Sequence, residues 1–182
     1  MMPRSWSIPF VVCAAMVLGA LAAFAGDALK AGDKAPEFSL TGSDGKVYAL
    51  KDYKGKQAVV IAWFPKAFTG GCTKQCKSMH EHGDVIRAYD VAYFTASVDD
   101  AETNKKFAES LGVDYPILSD PDKSTAKAFG VLMPEYGVAN RWTFYIGADG
   151  TILYVDDKVK PATAAEDVAA RLEALKVPKR KT

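Results

Sequence analysis

The sequence predicts an α/β fold, a central mixed β-sheet with helices on both faces. Three observations carry that expectation. Two continuous apolar runs, "QAVVIAWF" (57–64) and "VAYFTASV" (91–98), have the composition of strands buried on both faces. Each is followed by a stretch whose pattern fits a helix. A third stretch, "RWTFYIGADGTILYVD" (141–156), alternates around Asp149-Gly150 and reads as a β-hairpin, so strand directions must be mixed.

The first residues stand apart from that fold. Arg4 is the only early charge, Ser5 to Gly26 carries none, and "IPFVVCAAMVLGALAAFA" (8–25) is almost wholly apolar. The stretch is long enough to be a retained membrane anchor. Small residues and the Ala23-Phe24-Ala25 ending favour a secretory signal, residues 1–25, removed from a domain spanning 26–182. Val12 precedes Cys13 where a lipoprotein signal needs a small residue, so lipidation is not expected. Cleavage leaves 157 residues, one domain's worth.

Within that domain, "GDKAPEFSLTGSDGKVYAL" (32–50) alternates around Gly42-Ser43 and Asp44-Gly45, an N-terminal β-hairpin extension. Lys54-Gly55-Lys56 and Pro65 bound the first buried strand. After Gly71, Cys76, Met79, Gly83, Ile86 and Tyr89 recur at steps of three and four, one inward helical face. Asp99-Asp100 can cap the helix "AETNKKFAESL" (101–111), and Gly112 can end it. "YPILSDPDKSTAKAFG" (115–130) reads as a short strand, a turn and a short helix closed by Gly130. Thr163 and Glu166 form a capping-box pattern before a last helix with Val168, Leu172 and Leu175 inward.

Charge excludes one class of partner. The domain carries 22 basic against 22 acidic side chains, which argues against nucleic acid. Lys176 and the "KRK" at 179–181 read as a solvated tail. No cofactor-binding motif stands out.

Chemistry concentrates in "FPKAFTGGCTKQC" (64–76). Cys72 falls at a loop-to-helix junction, where unpaired amides and the helix dipole stabilise a thiolate. Gly70 and Gly71 allow close backbone approach and are expected to leave Cys72 uncovered. Cys76 shares the helix's inward face, so a buried structural thiol and a redox partner both remain open. Residues four apart on a helix hold their Cβ atoms about 5–6 Å apart, and a disulfide needs about 3.5–4.5 Å. A Cys72–Cys76 bond therefore requires the first helical turn to distort. Cys72, Cys76 and His80 step by four, but His82 points elsewhere on the helix, too few donors for a structural zinc. Metal binding is not expected, and both histidines read as solvated.

These residues carry a resemblance. Pro65, Thr69 and Cys72 reproduce the P-x-x-x-T-x-x-C signature of peroxiredoxins, and Arg141 matches the arginine that completes their site. The wording of residues 64–76 looks most like the peroxiredoxin Q (bacterioferritin comigratory protein) branch, and the likeness spans roughly 30 to 175. It implies a thioredoxin-like fold and a thiol peroxidase acting on hydrogen peroxide or small organic hydroperoxides. Cys72 would attack peroxide and become a sulfenic acid. Arg141 would favour the thiolate and bind peroxide, the Thr69 hydroxyl would hold both, and Pro65 would shield the oxidised sulfur. A thiol or dithiol donor such as a thioredoxin-like protein would restore the enzyme.

Two departures matter. Gly70 stands where the branch has proline, and three residues rather than four separate the cysteines. Cys76 is thus off the family's usual resolving position, although no cysteine follows it to take that role. Export to the periplasm, where small thiols are scarce, favours Cys76 as the resolving residue. Two other thiol functions fit less well. A copper-delivering protein of similar fold needs a further histidine, and none follows His82; a disulfide exchanger resembles C-x-x-C.

Overall fold

The computed structural model describes residues 28–181, so the N-terminal apolar segment and Cys13 lie outside the described residues. The expected sheet is present. Strands β1 (Ser39–Gly42), β2 (Val47–Ala49), β3 (Ala58–Trp63), β4 (Val91–Ser97), β5 (Ile117–Ser119), β8 (Thr143–Ile146) and β9 (Ile152–Asp156) form one seven-stranded sheet in the order β2-β1-β5-β4-β3-β8-β9. A separate two-stranded ribbon pairs β6 (Leu132–Met133) with β7 (Val138–Ala139). Within the sheet β3, β4 and β5 are parallel, while β1, β2, β8 and β9 join antiparallel.

The central strand explains the layers. Ala58, Val60 and Ala62 of β3 face one core; Val59, Ile61 and Trp63 face the other. Strand residues alternate between faces, so an uninterrupted apolar run is what a doubly covered strand requires. The first core is roofed by α1 (Gly70–Glu81), α2 (Gly83–Arg87), α3 (Ala101–Leu111) and α5 (Ala164–Ala174), through Cys72, Cys76, Met79, Ile86, Phe107, Val168 and Leu172. The second is closed by the short α4 (Ser124–Ala128), by Phe129, and by Phe38 and Leu50 near the N-terminal hairpin. Helices cover both faces, but unequally.

Most boundaries follow their residues. The Asp100 carboxylate accepts from the Thr103 amide, and Gly112 ends α3 at φ 63°, a conformation that costs glycine least. The inward residues Cys76, Met79, Gly83, Ile86 and Tyr89 are all buried, but His82 divides the stretch into α1 and α2. Gly83 sits where a Cβ would lie 2.8 Å from the Tyr93 hydroxyl oxygen, so only glycine passes there without displacing a neighbour.

One expectation fails. The capping box at Thr163 and Glu166 does not form. A 3₁₀ turn, Pro161–Thr163, leads into α5, and the Thr163 hydroxyl donates to Asp167 (2.8 Å). The Ala165 amide instead donates to the hydroxyl of Ser78, one helix away (3.1 Å), and Glu166 turns toward Ser78 and His82. A tertiary cap has replaced the local one.

Candidate active site

Strand β3 delivers the site. Its edge is prolonged by two backbone bonds, from Trp63 N–H to the Trp142 carbonyl (2.8 Å) and from Phe64 N–H to the Ala96 carbonyl (2.9 Å). The first draws Arg141 alongside the loop that follows β3. The loop is held by Asp99, whose carboxylate accepts from the Ala67 amide (2.9 Å), and by Phe68, whose ring lies 5.0 Å from that of Phe107. Phe68 is left-handed (φ 61°) and 57 % exposed, a strained conformation for an aromatic residue. The chain then enters α1 at Thr69.

The first bond of α1 runs from Thr73 N–H to the Thr69 carbonyl (2.9 Å), so the amides of Gly70, Gly71 and Cys72 precede the helical ladder. Cys72 sits among these free donors, as the junction predicts. It is not uncovered, however: the residue is wholly buried. The reason is Gly71. A Cβ there would stand 3.0 Å from an Arg141 guanidinium nitrogen, so the missing side chain admits Arg141 rather than solvent. Arg141 Nη2 reaches the Cys72 sulfur at 3.4 Å. That contact sets a fixed positive charge beside the sulfur, where a reacting partner of Cys72 would develop negative charge.

Arg141 is held by a residue that motif reading missed. Its Nη1 donates to the Gln75 side-chain oxygen, and Gln75 Nε2 donates to the Trp63 carbonyl (3.4 Å). Gln75 is fully buried, bridging α1, β3 and the arginine. A sequence signal existed: residues 72, 75, 76 and 79 share one helical face, and a polar member of a buried face needs a partner.

The remaining predicted residues are placed as follows. Pro65 is half-buried in the loop. Thr69 is exposed, and its hydroxyl donates to the Lys66 carbonyl (2.9 Å) rather than to Cys72. Cys76 is a free thiol like Cys72, one turn further along an intact α1, and fully buried. Its sulfur lies 3.8 Å from the Thr95 hydroxyl, and burial pushes the thiol up to about 12 against the softer pull of Tyr115 and Thr95. His80 is not simply solvated: its Nδ1 lies 2.9 Å from Asp114 Oδ1, and His82 lies 3.7 Å from Glu166. Among the described residues, no three His, Cys, Asp or Glu side chains converge as metal donors.

The arrangement can do one kind of chemistry well. A thiolate at a helix start, beside a guanidinium and three unpaired amides, can attack an electrophile and stabilise the charge on its leaving atom.

Known proteins share this frame. The model of the AhpC/TSA family matches residues 31–155. Peroxiredoxin Bcp of Escherichia coli is 37% identical over 138 residues, covering 72% of this chain and 88% of its own. Alkyl hydroperoxide reductase E of Mycobacterium tuberculosis is 33% identical over 132 residues, covering 71% and 86%. Among solved structures, peroxidoxin BcpB of Mycobacterium tuberculosis superposes with a TM-score of 0.74 at 29% identity, over 80% of this chain and 97% of that one. That fold is the thioredoxin-like one that the sequence resemblance implied. By sequence, fold and the match over most of its length, the chain belongs to the AhpC/TSA family and is a peroxiredoxin, a thiol peroxidase.

Proposed function

We propose that this peroxiredoxin reduces hydrogen peroxide or small organic hydroperoxides through Cys72. The observation that carries this reading is the Arg141 nitrogen 3.4 Å from the Cys72 sulfur at the start of α1. The Cys72 thiolate attacks one peroxide oxygen, the O–O bond breaks, and the second oxygen leaves as hydroxide or alkoxide, taking up a proton. Arg141 and the amides of residues 70–72 carry the developing charge. Thr69 joins them once its hydroxyl turns from Lys66 to the incoming peroxide, and Pro65 limits water at the oxidised sulfur.

Resolution follows from Cys76. Its thiol gives up a proton and attacks the Cys72 sulfenic acid; an S–S bond forms, the S–O bond breaks and water leaves. A thioredoxin-like dithiol then reduces the disulfide. The burial of Cys76 favours a second reading, in which an external thiol resolves Cys72 instead. Mass spectrometry before and after one equivalent of hydrogen peroxide separates the two. A loss of two hydrogens with a Cys72–Cys76 bond is expected; a lasting gain of one oxygen on Cys72 overturns resolution by Cys76, and an unmodified Cys72 overturns the catalytic assignment.

The uncharged N-terminal segment ending Ala23-Phe24-Ala25 supports an exported, periplasmic enzyme released from the membrane on cleavage. The N-terminal residue of the protein recovered from cells tests this: Gly26 is expected, and a protein retaining Met1 in the membrane fraction points to an anchor.

A further inference from the structure

We propose that Tyr115 is a positioning residue for the resolving step, pinning Cys76 so that α1 unwinds only on its Cys72 side. This rests on the reading in which Cys76 resolves Cys72. Tyr115, buried at the start of the segment leading into β5, donates its hydroxyl hydrogen to the Cys76 carbonyl (3.0 Å). Its ring packs against Tyr93 at 5.3 Å, and the Tyr93 hydroxyl accepts from Arg87 (2.6 Å). The grip is therefore built into the core.

Neighbouring contacts extend it along the helix. Asp114, adjacent to Tyr115, holds His80 (2.9 Å) and Arg87 (3.1 Å). Ser78 is fastened to the α5 amide of Ala165 (3.1 Å). Positions 76, 78 and 80 thus each bond to another element. Residues 69–75 are tied at fewer points: Thr69 provides no side-chain cap, Gly70 and Gly71 have no side chains, Cys72 reaches Arg141, and Gln75 reaches Arg141 and the Trp63 carbonyl (3.4 Å).

The geometry of the reaction uses this asymmetry. The two sulfurs cannot bond while the turn between them stays wound. A helical side chain leans toward the helix N-terminus, so the Cys76 sulfur lies against the turn that must open. Opening that turn uncovers the sulfur, while the Tyr115 bond keeps the Cys76 backbone where Cys72 can return to it. Without the pin, unwinding runs on past Cys76, and both partners move.

Amide exchange on the full protein, reduced and after one equivalent of peroxide, tests this without any substitution. Faster exchange confined to residues 73–79, whose amides bond to the carbonyls of 69–75, with 80–82 still protected by the carbonyls of 76–78, is the expected result. A disulfide accompanied by lost protection at 80–82 overturns the pin but leaves resolution by Cys76 standing. Absence of the disulfide in the same sample overturns both. Tyr115→Phe keeps the ring and removes only the hydroxyl. In that variant the first attack on peroxide should keep its rate, disulfide formation should slow by about tenfold, and over-oxidation of Cys72 should rise. Exchange at 80–82 should also quicken in its oxidised form. Equal disulfide rates and equal exchange in the two proteins would remove Tyr115 from the mechanism.

Discussion

The two halves of α1 are built to opposite specifications. The half from Gly70 to Gln75 begins without a side-chain cap, contains two glycines and presents its buried polar atoms to Arg141 and the Trp63 carbonyl. The half from Cys76 to Glu81 is bonded to the β5 approach, to α5 and to the Asp114 cluster. Both cysteines are equally buried, so burial does not distinguish them. Surroundings do: Cys72 meets a guanidinium, whereas Cys76 meets a threonine hydroxyl in an apolar core that drives its thiol to about 12. Two identical side chains one turn apart are thereby given different chemistry.

The comparison breaks most sharply at Cys72. Cys72→Ser is expected to lower peroxide consumption at least about a thousandfold with the circular dichroism spectrum unchanged; residual activity near wild type would move the chemistry elsewhere. Cys76→Ser should separate the halves. A single turnover with peroxide proceeds, steady turnover with a dithiol donor stops, and sulfinic acid accumulates on Cys72 because nothing captures the sulfenic acid first. Normal turnover in that variant would make the second half purely structural.

Arg141→Ala sharpens the picture of the first half. Loss of one preorganised donor should slow peroxide attack by about a hundredfold, read by stopped-flow fluorescence. Gln75→Leu should slow it by about tenfold, since the arginine loses its anchor and the Trp63 carbonyl its donor, and should cost about 1–3 kcal/mol in a denaturant titration.

The smallest effect belongs to the second half and to acid. Burial raises the Asp114 carboxyl, but His80 and Arg87 outweigh it and hold the group below 3.8. Its folded value is depressed, so its contribution is complete above the unfolded value and is lost as pH falls from there through the folded one. The side chain is substantially exposed, and the effect should be modest. Asp114→Asn should flatten the acid limb of a stability profile slightly; an unchanged slope would mean that the cluster does not contribute.

Much of this was legible in the sequence, for local reasons. The β3 run, the cap and stop of α3, and the position of Cys72 at a helix start each depend on neighbours in sequence. What escaped depends on distant partners. Gln75 is meaningful only once β8 brings Arg141 to α1, and Tyr115 only once its loop packs under Cys76. The capping box at Thr163 failed for the same reason: Ser78, 87 positions before Ala165, gives the first turn of α5 the acceptor that local pattern assigned to Thr163. The closure of Cys72 was misjudged because glycine was read as making room for solvent, when the room is taken by a guanidinium.

That closure turns the thiols into a clock. With both sulfurs shielded in the reduced protein, a bulky maleimide cannot touch either until Arg141 moves aside or α1 opens. Labelling at saturating reagent then proceeds at a rate independent of the reagent's concentration, because the slow event belongs to the protein. A stopwatch and a gel shift would thus time the opening of the site, with no peroxide present.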